Sequence, residues 1–171
     1  MKRTLLFALV LIAAGCADAE KAETPAEGSE QVTSLVYCEG IETTFGSPLE
    51  DLVTCAEQGS AYHQFILGEM YRKGEDVPED DAEAVRWYRL AAEQWGPQSQ
   101  YRLGSMYQDG EGVPQDDVLA YMWYNLAAAN GIDIAPRSKA LLENFVLTRE
   151  QIAEAQRMSR EWMAEHPRGG N

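Results

Sequence analysis

The sequence predicts an all-α fold, a solenoid of stacked helical hairpins, and three observations lead to it. A segment that begins at Leu67 (LGEMYRKGEDVPEDDAEAVRWYRLAA) aligns without a gap with one that begins at Leu103 (LGSMYQDGEGVPQDDVLAYMWYNLAA). A repeat at this offset of 36 residues indicates stacked supersecondary units. Within each copy the apolar residues recur at helical spacing, and apolar residues make up 45% of the 171-residue chain, which is enough for a packed core.

The chain begins with a pattern that is typical of a bacterial secretion signal. A basic start, MKR, precedes the apolar run TLLFALVLIAAG, which is too short to span a bilayer stably. The sequence IAAGC at the end of this run resembles the bacterial lipobox, except that Ala13 stands where Leu is usual. We therefore expect residues 1–15 to be a lipoprotein signal peptide and Cys16 to be lipidated. The alternative is ordinary signal-peptidase cleavage after Ala19.

Residues 16–33 are small, polar and acidic, which predicts a disordered tether rather than a part of the core. Ala17 follows the cysteine at a position where, by resemblance to enteric lipoproteins, Asp would signal retention in the inner membrane. We therefore expect a lipid anchor in the outer membrane that faces the periplasm, with a soluble periplasmic protein as the alternative. The formal net charge of −14 disfavours nucleic acid as a partner, because binding it needs Lys and Arg to neutralise phosphate.

Two cysteines, Cys38 and Cys55, remain once Cys16 is set aside. Export would place them in an oxidising compartment, where a pair of cysteines usually forms a bridge, and we expect a disulfide between them. The alternative is two independent, buried, small apolar side chains. The sequence has no C-x-x-C motif, so it indicates neither a redox centre nor a zinc site.

Residues 34–60 are expected to form an N-terminal cap or partial repeat. Ser47, Pro48 and Glu50 have the order of an N-cap residue, a proline at the first helical position and an acid at the third. They predict a helix that ends near Gly59.

Each copy of the internal repeat reads as two helices joined by a turn. In the first copy Gly74 is placed to end the first helix in the left-handed conformation. Asp80, with Glu83 three residues later, predicts a capping box that opens the second helix. The second copy has the same turn sequence, with Asp116 in the capping position.

The shared pattern LGxMYxxGxGVPxDxxxAxxWYxxAAxxG resembles the Sel-1-like repeat, a relative of the tetratricopeptide repeat. The first copy, residues 61–96, departs from it at Asp76, where Gly is usual, and by the extra residue Trp95 before Gly96. The second copy, residues 97–131, matches the pattern closely. The resemblance implies a solenoid of Sel-1-like, tetratricopeptide-like helical hairpins with atypical capping helices at both ends.

Residues 132–167 are expected to be C-terminal capping helices. Residues 138–146 have a helical pattern, and Thr148 with Gln151 predicts a capping box that opens a last helix extending to about residue 165. The stretch LTREQIAEAQ resembles the C-terminal cap of bacterial members of the family. Together these segments predict about seven helices, because each repeat contributes a pair and both ends must be covered.

The sequence lacks the motifs of familiar catalytic sites: it contains no G-x-S-x-G, S-x-x-K, H-E-x-x-H or P-loop pattern. His63 and His166 are far apart and have no neighbours at metal-ligand spacing, so His63 is better explained as a histidine of the first repeat. The acidic pairs at 80–81 and 116–117 are explained by helix capping. We therefore expect no catalytic residue, no metal site and no cofactor.

The first helices of a solenoid of this kind line its concave face, where such repeats bind peptides or domains. Counting from the Leu-Gly pair, as in tetratricopeptide repeats, places a row of residues there on each first helix. These candidate groove residues are Tyr62, Phe65, Glu69 and Arg72 in the first copy and Gln98, Tyr101, Ser105 and Gln108 in the second. The alternative is that this face is merely solvated.

These observations predict a non-enzymatic interaction module of the bacterial cell envelope, a monomer that binds a protein or peptide on its concave face. Since the excess of acidic residues lies in residues 17–131, a basic or neutral partner surface is expected. Two alternatives are a binder of, or enzyme acting on, cell-wall material, and a purely structural envelope lipoprotein.

Overall fold

In the computed structural model, the part of the chain that can be described spans residues 49–168, and it contains α-helices and connecting turns but no strand. Its seven helices are α1 (Leu49–Glu57), α2 (Ala61–Lys73), α3 (Asp81–Glu93), α4 (Pro97–Asp109), α5 (Asp117–Ala129), α6 (Ala135–Phe145) and α7 (Arg149–Glu165). The predicted all-α class is confirmed.

Neighbouring helices along the chain are also neighbours in space. Helix α2 packs on α3, and α4 packs on α5, so that each copy of the repeat forms one hairpin. The two hairpins are stacked through the contact of α3 with α4. Helix α1 packs on α2 at one end, and α6 and α7 both pack on α5 at the other. Helices α1, α6 and α7 therefore cover the apolar sides that a short solenoid leaves exposed.

Both hairpins end their first helix and begin their second in the same way. Gly74 and Gly110 take the left-handed conformation, with φ of 65° and 73°, and end α2 and α4. The carboxylate of Asp116 accepts hydrogen bonds from two backbone N–H groups in the first turn of α5, at 2.9 and 3.0 Å. That of Asp80 accepts one from the N–H of Glu83 at 3.0 Å.

The capping box predicted for Asp80 and Glu83 is only half formed. The backbone N–H of Asp80 donates to the carbonyl oxygen of Tyr71 at 2.9 Å, and the carboxylate of Glu83 pairs with Arg86 at 3.0 Å. The reciprocal bond from Glu83 was a wrong expectation, because the end of α2 already supplies an acceptor for that N–H group.

The two departures of the first copy from the repeat pattern are residues held in the left-handed conformation. Asp76 has a φ of 60° where the second copy has Gly112 at 66°, and Trp95 has a φ of 65° where the second copy has Gly131 at 87°. Residues other than glycine rarely adopt this conformation, since their Cβ atom crowds the backbone. The two copies therefore have the same left-handed backbone conformation at these two positions, although the residues differ.

Trp95 is held in this conformation by the C-terminal helix. Its indole Nε1 donates to the carbonyl oxygen of His166 at 2.9 Å, and its ring meets that of Trp162 edge-on with centroids 4.9 Å apart. The ring of Trp162 also lies 5.8 Å from that of Trp123 in α5. The extra residue of the first repeat thus connects the end of α3 with α7.

The buried side chains form two clusters. The larger one lies between α3 and the C-terminal helices and contains Tyr88, Tyr124 and Leu142. The smaller one joins α1, α2 and α3 and contains Leu52 and Trp87. Each repeat hairpin therefore buries its apolar stripe against a neighbouring hairpin or cap rather than by itself.

The C-terminal cap follows the prediction closely. Helix α6 begins at Ala135 rather than at Ser138, because Pro136 suits the first turn of a helix. Helix α7 is preceded by Thr148, whose hydroxyl accepts from the backbone N–H of Gln151 while the Gln151 side chain accepts from that of Thr148. The predicted capping box is confirmed.

Several predictions concern residues outside the described range of 49–168. These are the signal peptide (1–15), the tether (16–33) with its lipidated Cys16, the helix start at Ser47 and Pro48, and Cys38. Cys55 lies within α1 and is fully buried, but its predicted disulfide with Cys38 stays a prediction. Among residues 49–168, no helix is both long and apolar enough to cross a membrane.

Candidate functional site

The candidate groove residues lie on α2 and α4 as predicted, and the structure separates them into two sets. One set lines two adjoining cavities and consists of Tyr62, Phe65, Gln98 and Tyr101. The other set is engaged in hydrogen bonds within the molecule and consists of Glu69, Arg72, Ser105 and Gln108. The first set is therefore the better candidate for contact with a partner.

The first cavity has a volume of 260 Å³ and lies between the beginnings of α2 and α4. Its walls contain no charged residue and are formed by Ala61, Tyr62, Phe65, Gly96, Pro97, Gln98 and Ser99. Tyr62 is 56% exposed, so its ring stands at the rim of this cavity. We call this space the apolar cavity.

The second cavity has a volume of 220 Å³, and its wall includes a cationic side chain. Its lining residues are Phe65, Gln98, Tyr101, Arg102 and Ile132. It shares Phe65 and Gln98 with the apolar cavity, so the two spaces adjoin. We call it the arginine cavity, and we call the two cavities together the groove.

The aromatic walls of the groove are held from behind by the second helix of each repeat. The ring of Phe65 packs against Tyr88 with centroids 6.0 Å apart, and that of Tyr101 packs against Tyr124 at 5.3 Å. The Tyr88 ring in turn lies on Gly68, where an added Cβ would be 2.6 Å from a ring carbon. The same arrangement recurs in the second repeat, so the 36-residue repeat itself builds the groove wall.

Glu69, predicted on the binding face, is instead the acceptor of a buried polar cluster and only 4% exposed. It accepts hydrogen bonds from the Tyr88 hydroxyl at 2.7 Å, from Arg72 at 3.1 Å and from Arg102 Nε at 2.6 Å. Burial alone would raise the pKa of Glu69, but these donors outweigh burial and lower its pKa. Glu69 therefore joins the two repeats rather than facing a partner directly.

The pKa of Tyr88, the tyrosine in this cluster, shifts in the direction opposite to that of Glu69. Burial, followed by the hydrogen bond to the Glu69 carboxylate, raises the pKa of Tyr88, so its hydroxyl remains a donor. In the second repeat the Tyr124 hydroxyl donates to Gln108 at 2.9 Å, and burial is the main cause that raises the pKa of Tyr124. The second repeat therefore has a neutral acceptor, Gln108, for its tyrosine hydroxyl.

Arg102 was not among the predicted groove residues. It aligns with Ile66 of the first copy, which is a buried core residue. The position of Arg102 in the repeat therefore predicted a core residue rather than a groove residue. The signal that could have identified it is this exchange of an apolar residue for an arginine between two otherwise similar copies. An arginine at a core register usually has an internal partner, here Glu69.

Helix α6 adds exposed apolar residues that the sequence analysis also missed. Ile134, Leu141 and Phe145 are exposed, Phe145 by 82%. They share one side of α6 with Ser138, because residues at these spacings lie above one another on a helix. The Ser138 hydroxyl lies 3.4 Å from that of Tyr101, so this side of α6 borders the groove.

His63 is a buried residue of the first repeat. It is 2% exposed, its Nδ1 lies 2.6 Å from the Ser60 hydroxyl, and its ring meets that of Tyr62 edge-on. Burial lowers the pKa of His63, which favours the neutral ring. In residues 49–168 no group of His, Cys, Asp and Glu side chains is arranged to hold a metal ion.

Comparison with known proteins agrees with this architecture. Residues 62–94 and 97–132 match the family model described as Sel1 repeat. None of the curated proteins matches the chain.

Three solved structures share the fold. A protective antigen of uropathogenic Escherichia coli strains that displays an SLR fold is 30% identical, with a TM-score of 0.66 over 69% of this chain and 25% of its own. A Sel1 repeat protein from Oxalobacter formigenes is 35% identical, with a TM-score of 0.54 over 55% of this chain and 27% of its own. Cysteine rich protein B of Helicobacter pylori, at 24% identity and a TM-score of 0.50 over 52% of this chain and 66% of its own, shares the fold alone.

This chain spans about a quarter of the length of the first two of these proteins. The matched segments coincide with the two helical hairpins α2–α3 and α4–α5. Each of the two hairpins is therefore similar to a Sel1 repeat, and both lie within an all-helical solenoid that resembles the first two of these solved structures.

Proposed function

We propose that this protein is a non-enzymatic adaptor and that its groove between α2 and α4 binds an extended segment of a partner protein. The observation that carries the proposal is the pair of adjoining cavities, whose shared wall is Phe65 and whose outer walls are Tyr62 and Tyr101. Concave, mostly apolar surfaces with a few polar groups are the usual form of binding sites.

The repeat family supports a role in binding. Sel1 repeat proteins are generally protein-interaction modules. Tyrosine is enriched at the centre of interfaces because its ring supplies contact area and its hydroxyl a hydrogen bond. Tyr62 and Tyr101 have these properties. Tyr62 is exposed in the groove and Tyr101 is partly exposed there.

We propose in addition that the protein acts in the cell envelope, anchored by lipid at Cys16. The support comes from the sequence: a basic start, an apolar run and a small-residue pair before the cysteine. The acidic segment 16–33 would then separate the repeats from the membrane. In an oxidising compartment, Cys38 and Cys55 would form the predicted disulfide.

Site-specific cross-linking in living cells tests both proposals. A photo-reactive amino acid replaces Tyr62 or Gln98, which are exposed in the groove, or Ala153, which is exposed on α7, as the control. We expect the two groove positions to cross-link the same partner and the control position to miss it. Mass spectrometry of the cross-linked complex identifies the partner. It also shows whether the N-terminus of the repeat protein is a lipidated Cys16 and whether its Cys38 is linked to its Cys55.

A second pair of variants separates binding from folding. Tyr62→Ala removes an exposed ring and should reduce partner capture strongly while leaving the helical circular dichroism and the unfolding midpoint unchanged. Arg160→Gln changes an exposed side chain of α7 and should leave capture intact. Equal cross-linking from the groove and from α7, or full capture by Tyr62→Ala, would refute the groove as the binding site.

A further inference from the structure

The two cavities of the groove differ in chemistry. The apolar cavity has no charged residue in its walls, whereas the arginine cavity includes Arg102. Because they share Phe65 and Gln98, a ligand that enters one cavity passes directly beside the other. A partner segment must therefore present two different side chains at neighbouring places.

An extended peptide meets this condition with alternate residues. Successive side chains of a strand point to opposite faces, and residues two positions apart lie on the same face about 6.6 Å from each other. One such side chain would fill the apolar cavity and the next on that face would meet Arg102. The open amide of Gln98 lies between the cavities, where it can bond to the peptide backbone.

Arg102 is the one charged residue among those that line the two cavities, and its sign is opposite to the net charge of the whole chain. Arg102 binds Glu69 through Nε at 2.6 Å and through one Nη at 3.3 Å, which leaves its other Nη group outside this pairing. Arg72 is a second guanidinium on the same carboxylate, and its Nε has no hydrogen-bond partner within the described part of the chain. Two arginines on one carboxylate carry a net positive charge.

No acidic residue is among those that line the two cavities. The turns at 74–81 and 110–117 contain acidic residues and no lysine or arginine. Fields of exposed charges decay over about 8 Å at physiological ionic strength, so the side chains nearest to the ligand dominate. The basic or neutral partner expected from the total charge therefore does not follow for the groove itself.

We propose, on the basis of the proposed peptide-binding function, that the groove recognises a partner segment with a large apolar residue and an acidic residue two positions apart. The apolar side chain enters the cavity lined by Tyr62 and Pro97, and the carboxylate pairs with Arg102. Glu69 positions Arg102 for this contact, because it holds the guanidinium through two of its nitrogens.

Selection from a displayed library of random peptides against the full chain tests this inference. We expect the peptides enriched by the wild-type protein, and lost with Tyr62→Ala, to share an apolar residue and an Asp or Glu two positions apart. One selected peptide is then synthesised with its acid and with the matching amide. Arg102→Gln should weaken binding of the acid form about tenfold and change that of the amide form less than about twofold.

Two further variants separate recognition from structure. Glu69→Gln removes the carboxylate that positions Arg102, so it should weaken binding of the acid form more than binding of the amide form. Arg160→Gln, an exposed arginine on α7, is the matched control and should bind both forms as the wild type does.

The possible outcomes are distinct. Peptides that depend on Tyr62 but carry no acid, or equal losses of the acid and amide forms with Arg102→Gln, overturn the acidic-segment inference and leave the proposed function standing. Unchanged binding of the acid form by Glu69→Gln contradicts the positioning role of Glu69 and overturns that part of the inference. If no selected peptide depends on Tyr62, both the inference and the proposed groove function are refuted.

Discussion

Two glycines in the turn of the second repeat differ in how much space a side chain would have. Gly110 and Gly112 both have a φ near 70°, at 73° and 66°. An added Cβ at Gly112 would be 2.3 Å from the backbone oxygen of Asp81 in the preceding repeat, whereas at Gly110 its nearest neighbour would be the Gln115 Cβ at 3.4 Å. The first copy has Asp76 at the place of Gly112, which shows that the conformation by itself tolerates a side chain.

Substituting these glycines by alanine separates the two effects. Gly110→Ala should lower the free energy of unfolding by about 1–2 kcal/mol, the cost of the left-handed conformation for a residue with a Cβ. Gly112→Ala should cost clearly more, because the backbone of Asp81 must also move. Urea unfolding followed by circular dichroism measures both. Equal losses in the free energy of unfolding for the two variants would show that the contact with Asp81 does not restrict the residue at position 112.

At the scale of elements, the C-terminal helix is attached by one aromatic side chain in particular. The centroid of the Trp162 ring lies 4.9 Å from that of Trp95, 5.8 Å from that of Trp123 and 4.3 Å from that of His166, and the Trp162 and His166 rings are stacked. It thereby joins α7 to the end of α3 and to α5. Together with the buried residues Ala155 and Ser159, this ring attaches α7 to the rest of the solenoid.

Removing the Trp162 ring should therefore detach α7 partly from the solenoid. Trp162→Ala is expected to lower the free energy of unfolding by about 3 kcal/mol and to increase hydrogen exchange within α7. Arg157→Gln is the control on the same helix, since it removes only exposed ion pairs, at 2.5 and 2.6 Å, and should cost less than about 1 kcal/mol. Unchanged exchange in α7 after Trp162→Ala would contradict this role.

At the scale of the whole molecule, the buried carboxylate of Glu69 connects the two repeats. It lies on α2 and binds Tyr88 of α3 and Arg102 of α4, and Lys73 is 3.9 Å away. Because these donors lower the pKa of Glu69 in the folded state, its ionised form stabilises the fold. This contribution is present above the ordinary glutamate value of 4.5 and is lost as the pH falls through the lowered pKa.

Acid titration of stability should reveal this coupling. The unfolding midpoint of the wild type is expected to fall more steeply below pH 4.5 than that of Glu69→Gln, whose amide does not titrate. At neutral pH the variant should be the less stable of the two, since the arginines lose their carboxylate. Parallel midpoint curves over the acidic range would mean that Glu69 does not link the repeats energetically.

Much of the architecture is determined by the sequence itself, because its signals are local. The helix-ending Gly74 and the capping Asp116 act through bonds within a few residues of themselves, so the hairpins could be predicted. The candidate groove helices were predicted from the same periodicity. The two copies share one sequence pattern, and this pattern identified the family resemblance without any tertiary information.

Only the tertiary structure decided which groove residues remain available. Glu69 and Arg72 were predicted to face a partner, but Arg102 reaches Glu69 across 33 residues of sequence and turns this part of the face inward. The repeat register aligns Arg102 with the buried Ile66 but gives no distance between helices, and the apolar and arginine cavities exist only where α2 and α4 meet. Hydrogen bonds and cavities between distant segments depend on how helices stack, and the periodicity of one helix carries no information about that.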